Sequence, residues 1–435
     1  MSARPSRPRS LRARTLGALA LAAILALAGC AGQTETMPDP ETNSGPSLHA
    51  DDALPGTAIG TVGEAAAMIA ARAERHFDEH ALQSLLVQVR VDGAVVGTVA
   101  LGDALTGVPI SEDGRFRNGA VAIMYVAATM LRMAEEGMID IDEPIGRWRP
   151  DLPFAETVTP RMLAQMTAGY PDHVADAEFL AAFDADPFAQ YSAEEILAIS
   201  ARTPHVFEPG TNWDYSHAGY FVLGQVLETA GDAALDELIA RYVLEPLNLE
   251  STANSATALI PGEVIHGFTA ERGIWEDATY WNPSWTLPPG AVQTTSIDDM
   301  ASSFEAVIGQ GTLLHPDSRA DMLTPPPPGF GAPLEGCRSC HALTPEFTYG
   351  LGVFLEGEWV FQTPLFAGYF SAVASLPEER NGGHSVTVAV AATGTERSFE
   401  DWSTALPNWS TQLVMELATE LVPTNAPPEF RLPTR

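Results

Sequence analysis

Apolar positions change period along the chain, and each period predicts a different element. Val87, Val89 and Val91 alternate with Gln88 and Arg90, Asp92-Gly93 interrupts, and apolar residues return over 95–101. Alternation sends successive side chains to opposite faces of a strand, and Asp-Gly tolerates the positive φ of a tight turn, so this stretch predicts a β-hairpin. Before it, residues 65–80 are Ala-rich with Met68 and Ile69 on an apolar stripe, which predicts a first helix. Residues 120–133 are apolar almost all the way round, as in a helix buried inside a domain, and Glu135-Glu136-Gly137 stops them. Helical patterns follow at 160–166, at 192–200 behind a Ser192/Glu195 capping box, and at 220–230, 235–243 and 295–308. Strand-like runs resume at 351–355, 369–376 and 386–392, ahead of a final helix over about 409–421. Strands at both ends with helices between them predict an α+β fold, in which one antiparallel sheet draws on both chain ends and helices pack on it.

The first thirty residues follow another rule. Residues 1–14 carry five Arg and no acid, 16–27 are apolar, and Leu27-Ala28-Gly29-Cys30 follows. A basic start, an apolar run too short to span a bilayer and a small-residue ending predict a lipoprotein signal peptide over 1–29. Cys30 would then be lipidated and hold the mature protein on the cell membrane, facing outside the cytoplasm. Residues 30–60, rich in Pro, Thr, Asp, Ser and Gly, read as a flexible tether. A domain over 61–425 and a tail over 426–435 complete the division.

Charge narrows the function. The chain has 23 basic and 56 acidic residues among 435, and every basic residue is Arg. Loss of the signal leaves 18 Arg against 56 acids, a net charge of −38, which repels nucleic acid and anionic lipid. Without a single Lys, any mechanism that needs a lysine amine is excluded.

Four segments, in order, carry a resemblance. They are Phe116-Arg117-Asn118-Gly119-Ala120-Val121-Ala122-Ile123, continuing to Ile139-Asp140-Ile141-Asp142-Glu143-Pro144-Ile145; Thr159 through Gly169; Phe207-Glu208-Pro209-Gly210 through Tyr220; and Tyr349-Gly350-Leu351-Gly352, leading to Gly368-Tyr369-Phe370-Ser371. Together they resemble the serine β-lactamase and penicillin-binding protein-like hydrolases, of the class C β-lactamase and D-Ala-D-Ala carboxypeptidase type. The resemblance implies an antiparallel sheet flanked by helices, beside a mostly helical subdomain.

It also implies a mechanism that this chain departs from. In the family a Ser opens the buried helix as nucleophile, with a Lys one turn later on the same face to take its proton. Here those positions hold Ala120 and Ile123. The family's Tyr-x-Asn loop reads Tyr215-Ser216-His217, and its Lys-Thr-Gly or His-x-Gly strand falls on Gln362-Thr363-Pro364. Ala120, Tyr215, His217, Gln362 and Thr363 are therefore expected to line a ligand cleft without Ser-Lys hydrolysis. A pseudoenzyme results, taking a peptidoglycan-like or small ester or amide ligand, or a protein partner. The alternative is a hydrolase using Tyr215 or Ser216 with His217.

Two other patterns bear on cofactors. Cys337-Arg338-Ser339-Cys340-His341 matches the spacing of c-type haem attachment, but it sits in a Pro- and Gly-rich loop with no Met after it until Met415. A disulfide between Cys337 and Cys340 is the expectation, with a redox or haem-binding lipoprotein as the lesser alternative. His76-Phe77-Asp78-Glu79-His80 has zinc-protease spacing and no evident third ligand. No cofactor and no metal are expected.

Overall fold

The computed structural model describes residues 48–255, 257–335, 337, 340, 342–400 and 408–429. Cys30, the signal peptide and His341 lie outside them.

Among the described residues, nine strands form the main sheet. Leu82–Val91 pairs with Ala94–Leu105 on one side and with Val386–Gly394 on the other, Val87 lying opposite Val390. Tyr369–Leu376 and Trp359–Gln362 continue the antiparallel order toward Phe354–Glu356 and Thr348–Tyr349. The sheet thus closes the chain's two ends on each other, as the strand distribution implied.

Period-two alternation divides the core. Leu85, Val87, Val89, Val388 and Val390 face the helices Val62–Glu79 and Trp409–Leu421. Leu86, Ala389 and Ala391 face the opposite, larger core, which contains the helices Val121–Glu135, His217–Gly231 and Ile297–Phe304. Sheet residues buried on both faces read as nearly continuous apolar runs for this reason. The capping boxes at Thr61/Glu64 and Ser192/Glu195 satisfy the first N–H groups of their helices.

The structure corrects several expectations. Two small sheets join the main one: Phe116–Arg117 and Ala253–Ser255 flank Val292–Thr295, and Phe268–Thr269 pairs with Glu276–Asp277. The strand expected at 351–355 begins only at Phe354. Gly352 has φ +77, and its Cα approaches the buried helix so closely that a Cβ would lie 2.8 Å from the Ala127 methyl. Residues 48–60, expected within the tether, pack on the domain instead: Leu54 is buried, Ala53 bridges to Thr61, and the Ala58 N–H donates to the Leu421 carbonyl at 2.7 Å. The tail likewise stays docked to residue 429, with Pro427 buried and Pro428 against Gly357. Composition marked both segments as non-periodic, but a few apolar contacts and backbone bonds hold such chain without periodicity.

Candidate functional site

The site starts at the beginning of the buried helix. Ala120 is its N-cap and, having no side-chain oxygen, caps nothing; Val121 to Leu131 are buried without interruption. Gly119 precedes it at φ +54, packed so tightly that a Cβ would lie 2.4 Å from Pro364 Cβ. This contact joins the helix start to the segment after strand Trp359–Gln362.

Beside it lies a cleft of about 220 Å³, lined by Ala120, Ile123, Tyr215, His217 and Thr363, with Trp285, Leu287, Val292, Pro364 and Phe366 adding apolar wall. Four of the five expected cleft residues are therefore assembled there. Gln362 is the correction. It ends its strand with its side chain turned inward, fully buried, and its Nε2 donates to the Gly352 carbonyl. The strand ends at Gln362, and Thr363, just beyond it, is the one of the two that lines the cleft.

The Tyr215 loop is built by its neighbours in the sequence. Ser216 caps the helix His217–Gly231, its Oγ accepting the Gly219 N–H at 3.1 Å, and it is buried, so that hydroxyl is committed to structure and not to chemistry. Trp213 and Tyr220 belong to the core, and the Tyr220 hydroxyl donates to the Ala164 carbonyl at 2.8 Å. Tyr215 is half-buried, with its ring 5.2 Å from that of His217 and parallel to Phe354. Burial, and then the negative charge of Asp172, push the Tyr215 hydroxyl above the usual phenol range, which keeps it protonated.

His217 has a partner that spacing alone did not reveal. Asp172 accepts from His217 Nδ1 at 3.0 Å and from the His217 backbone N–H at 3.3 Å. The carboxylate thus sits at a helix N-terminus, where the dipole favours negative charge. Burial opposes its ionisation, but His217, with charge and hydrogen bond, and then His173 hold it below the ordinary carboxylate range. The same bond fixes the orientation of the His217 ring, which lines the cleft. The adjacent His173 is fully buried, with Nε2 against the Trp285 carbonyl at 2.8 Å; burial lowers its pKa to about 4 and keeps it neutral.

Arg117 also lines the cleft. It is buried, and Nη2 donates to the carbonyls of Ala258 and Thr279. Burial lowers its pKa to about 10, so it stays charged at neutral pH.

Other histidines fall elsewhere. His205 packs against Phe154 and Tyr170, with Nε2 at the Ala168 carbonyl. The His76 and His80 rings lie 4.4 Å apart and tilted at 54°, and burial takes the His76 pKa to about 4. Among the described residues, neither joins a set of three metal-capable groups; the one such set is Asp214, Cys337 and Cys340, away from the cleft lining, with the two cysteines joined as a disulfide. Sequence reasoning missed Asp172 as the partner of His217, and it missed the Trp285 to Leu287 wall.

Comparison with known proteins agrees with this architecture. Residues 69–406 match the beta-lactamase family. Esterase EstB of Burkholderia gladioli is 26% identical over 343 residues, covering 70% of this chain and 84% of that protein. Penicillin-binding protein 4* of Bacillus subtilis is 24% identical over 158 residues, which span 36% of this chain and about a third (34%) of that protein. The structure of D-amino acid amidase from Ochrobactrum anthropi SV3 with D-phenylalanine superposes with a TM-score of 0.65 at 19% identity, covering 82% of this chain and 98% of the amidase. The fold, the ordered motifs and a match over most of the chain lead to one conclusion: this protein belongs to the beta-lactamase family.

Proposed function

We propose that this protein is a non-hydrolytic member of its family, a membrane-tethered lipoprotein whose cleft binds a small ester, amide or peptidoglycan-like ligand, or a segment of a protein partner. One observation carries the reading: the cleft is open, yet the two side chains lining it where the family's nucleophile and base would stand are the hydrocarbons of Ala120 and Ile123. Removing a nucleophile and its base lowers rate by many orders of magnitude while leaving binding groups in place. Trp285, Leu287 and Phe366 suit an aliphatic or aromatic group, and the Arg117 guanidinium suits a carboxylate. The likeness to a D-amino acid amidase structure and to an esterase makes D-amino acid amides and esters the first ligands to try.

The test pairs turnover with binding. Nitrocefin, p-nitrophenyl esters and a fluorescent penicillin should give neither turnover nor covalent label above an unrelated protein, while a D-amino acid amide should raise thermal stability. Turnover or labelling clearly above that control refutes the reading. Tethering is checked separately: Cys30→Ser should release the protein from the membrane fraction.

A second reading has one observation in its favour. The Asp172 carboxylate bonds the His217 ring at 3.0 Å beside Tyr215, the pairing that a general base activating water uses. Under that reading, ester hydrolysis is present and His217→Gln abolishes it while the fold survives.

A further inference from the structure

The loop segment that carries Tyr215 is bound on another side by a part of the chain that does not line the cleft. Asn212 accepts the Gly331 N–H at 2.6 Å, donates to the Ala332 carbonyl at 2.9 Å, and lies 3.8 Å from Cys340 Sγ. Cys337 and Cys340 are disulfide-bonded, with Cα atoms 5.5 Å apart. Asp214 places a carboxylate oxygen within 4.8 Å of both sulfurs, and both Asp214 and Cys340 are buried.

Three features favour metal chemistry at this spot over simple bracing. A disulfide that closes a ring across a sequence separation of three restricts the unfolded chain far less than one that closes a long loop. Two sulfurs and a carboxylate form a ligand set that tetrahedral zinc accepts, and thiolates about 2.3 Å from the ion stand roughly 3.8 Å apart. Side-chain rotation can reach that separation from the present Cα positions. Finally, the Cys340 N–H donates to Cys337 Sγ at 3.0 Å, a bond that stabilises negative charge on that sulfur.

We propose that Asp214, Cys337 and Cys340 form, in the reduced protein, a binding site for Zn²⁺ or another thiophilic divalent cation, and that the disulfide is the closed form of that site. A dithiol reductant supplies two electrons and two protons to the S–S bond, giving two thiols, and is itself oxidised to a disulfide. The cation then displaces both thiol protons to solvent, binds the two thiolates and the Asp214 carboxylate, and retains water as a fourth ligand. Because Asp214 immediately precedes Tyr215, occupancy fixes the loop that lines the cleft.

The test uses the full chain, reduced with a dithiol, desalted without oxygen and titrated with Co²⁺. The expected result is a thiolate-to-cobalt charge-transfer band saturating at about one ion per chain and bleached by Zn²⁺, with none in the disulfide form. Cys337→Ser/Cys340→Ser should remove the band, and Asp214→Asn should weaken binding by about 10-fold or more. No band in the reduced wild type overturns the proposal. A band that persists in the double cysteine variant also overturns it, since Cys30 would then be the ligand, and so does unchanged affinity in a folded Asp214→Asn. Circular dichroism verifies folding of each variant, and the wild-type comparison decides the question even where a variant unfolds.

Discussion

Gly119→Ala tests whether the helix start and the Pro364 segment form one rigid cleft edge. Gly119 has φ +54, where an Ala residue costs about 1–2 kcal/mol. The added Cβ would lie 2.4 Å from Pro364 Cβ, against an ordinary carbon contact of about 3.5–4.0 Å. Pro364 cannot rotate away, because its Cβ belongs to a ring fixed to the backbone and its carbonyl accepts the Ser371 N–H at 3.1 Å. Relief therefore requires movement of about 1 Å, and overpacking of this kind costs about 1–3 kcal/mol. The sum is about 2–5 kcal/mol, a large part of the roughly 5–15 kcal/mol that holds a domain folded. Gly137 supplies the internal control: its φ is +72, and nothing lies within 4 Å of an added Cβ, so Gly137→Ala meets only the backbone penalty. Urea denaturation of both variants separates the two contributions. If Gly119→Ala loses no more stability than Gly137→Ala, the close packing of the cleft edge is refuted.

Three further outcomes follow from buried groups. His173 and His76, both buried with pKa lowered to about 4, bind protons more readily when unfolded, so stability present above about pH 6.5 is lost as pH falls toward 4, by roughly 3 kcal/mol each. Denaturation midpoints measured across that window should flatten in His173→Asn, and an unchanged slope contradicts the assignment. Glu356 is buried and its pKa is raised to about 8 by that burial, the opposite sign: stability is complete below about pH 4.5 and is lost as pH rises through 8. Glu356→Gln should therefore melt higher than wild type at pH 9, and an equal or lower melting temperature there argues against a buried carboxyl. Asn212→Ala leaves the Gly331 N–H and the Ala332 carbonyl without their side-chain partner, a loss of about 2–5 kcal/mol. Faster hydrogen exchange in both the 331–340 loop and the Tyr215 loop should accompany it, and exchange confined to one loop would show that the two are not coupled.

By itself the sequence determined the elements whose periodicity is long and uninterrupted. The hairpin at Asp92-Gly93, the buried helix after Ala120, the strand Tyr369–Leu376 and the terminal helix all stand within a few residues of where their patterns place them. It also determined that the chain offers no lysine amine, since residue identity needs no coordinates. Short strands such as Phe116–Arg117 and Val292–Thr295 carry too few residues for a period to register, and they exist because partners across the chain complete their hydrogen bonds. The cleft belongs to the same class. Asp172 and His217 are 45 residues apart, and the Trp285 wall comes from a segment with neither helical nor strand periodicity. The Gln362 side chain is committed to the Gly352 carbonyl, a partner the sequence does not reveal, while Thr363, just past the strand end, lines the cleft. Local pattern specifies which backbone forms. Which side chains then meet is decided by packing among segments distant in the chain, and a polar group such as Asp172 acquires its charge state only from the partners that packing brings to it.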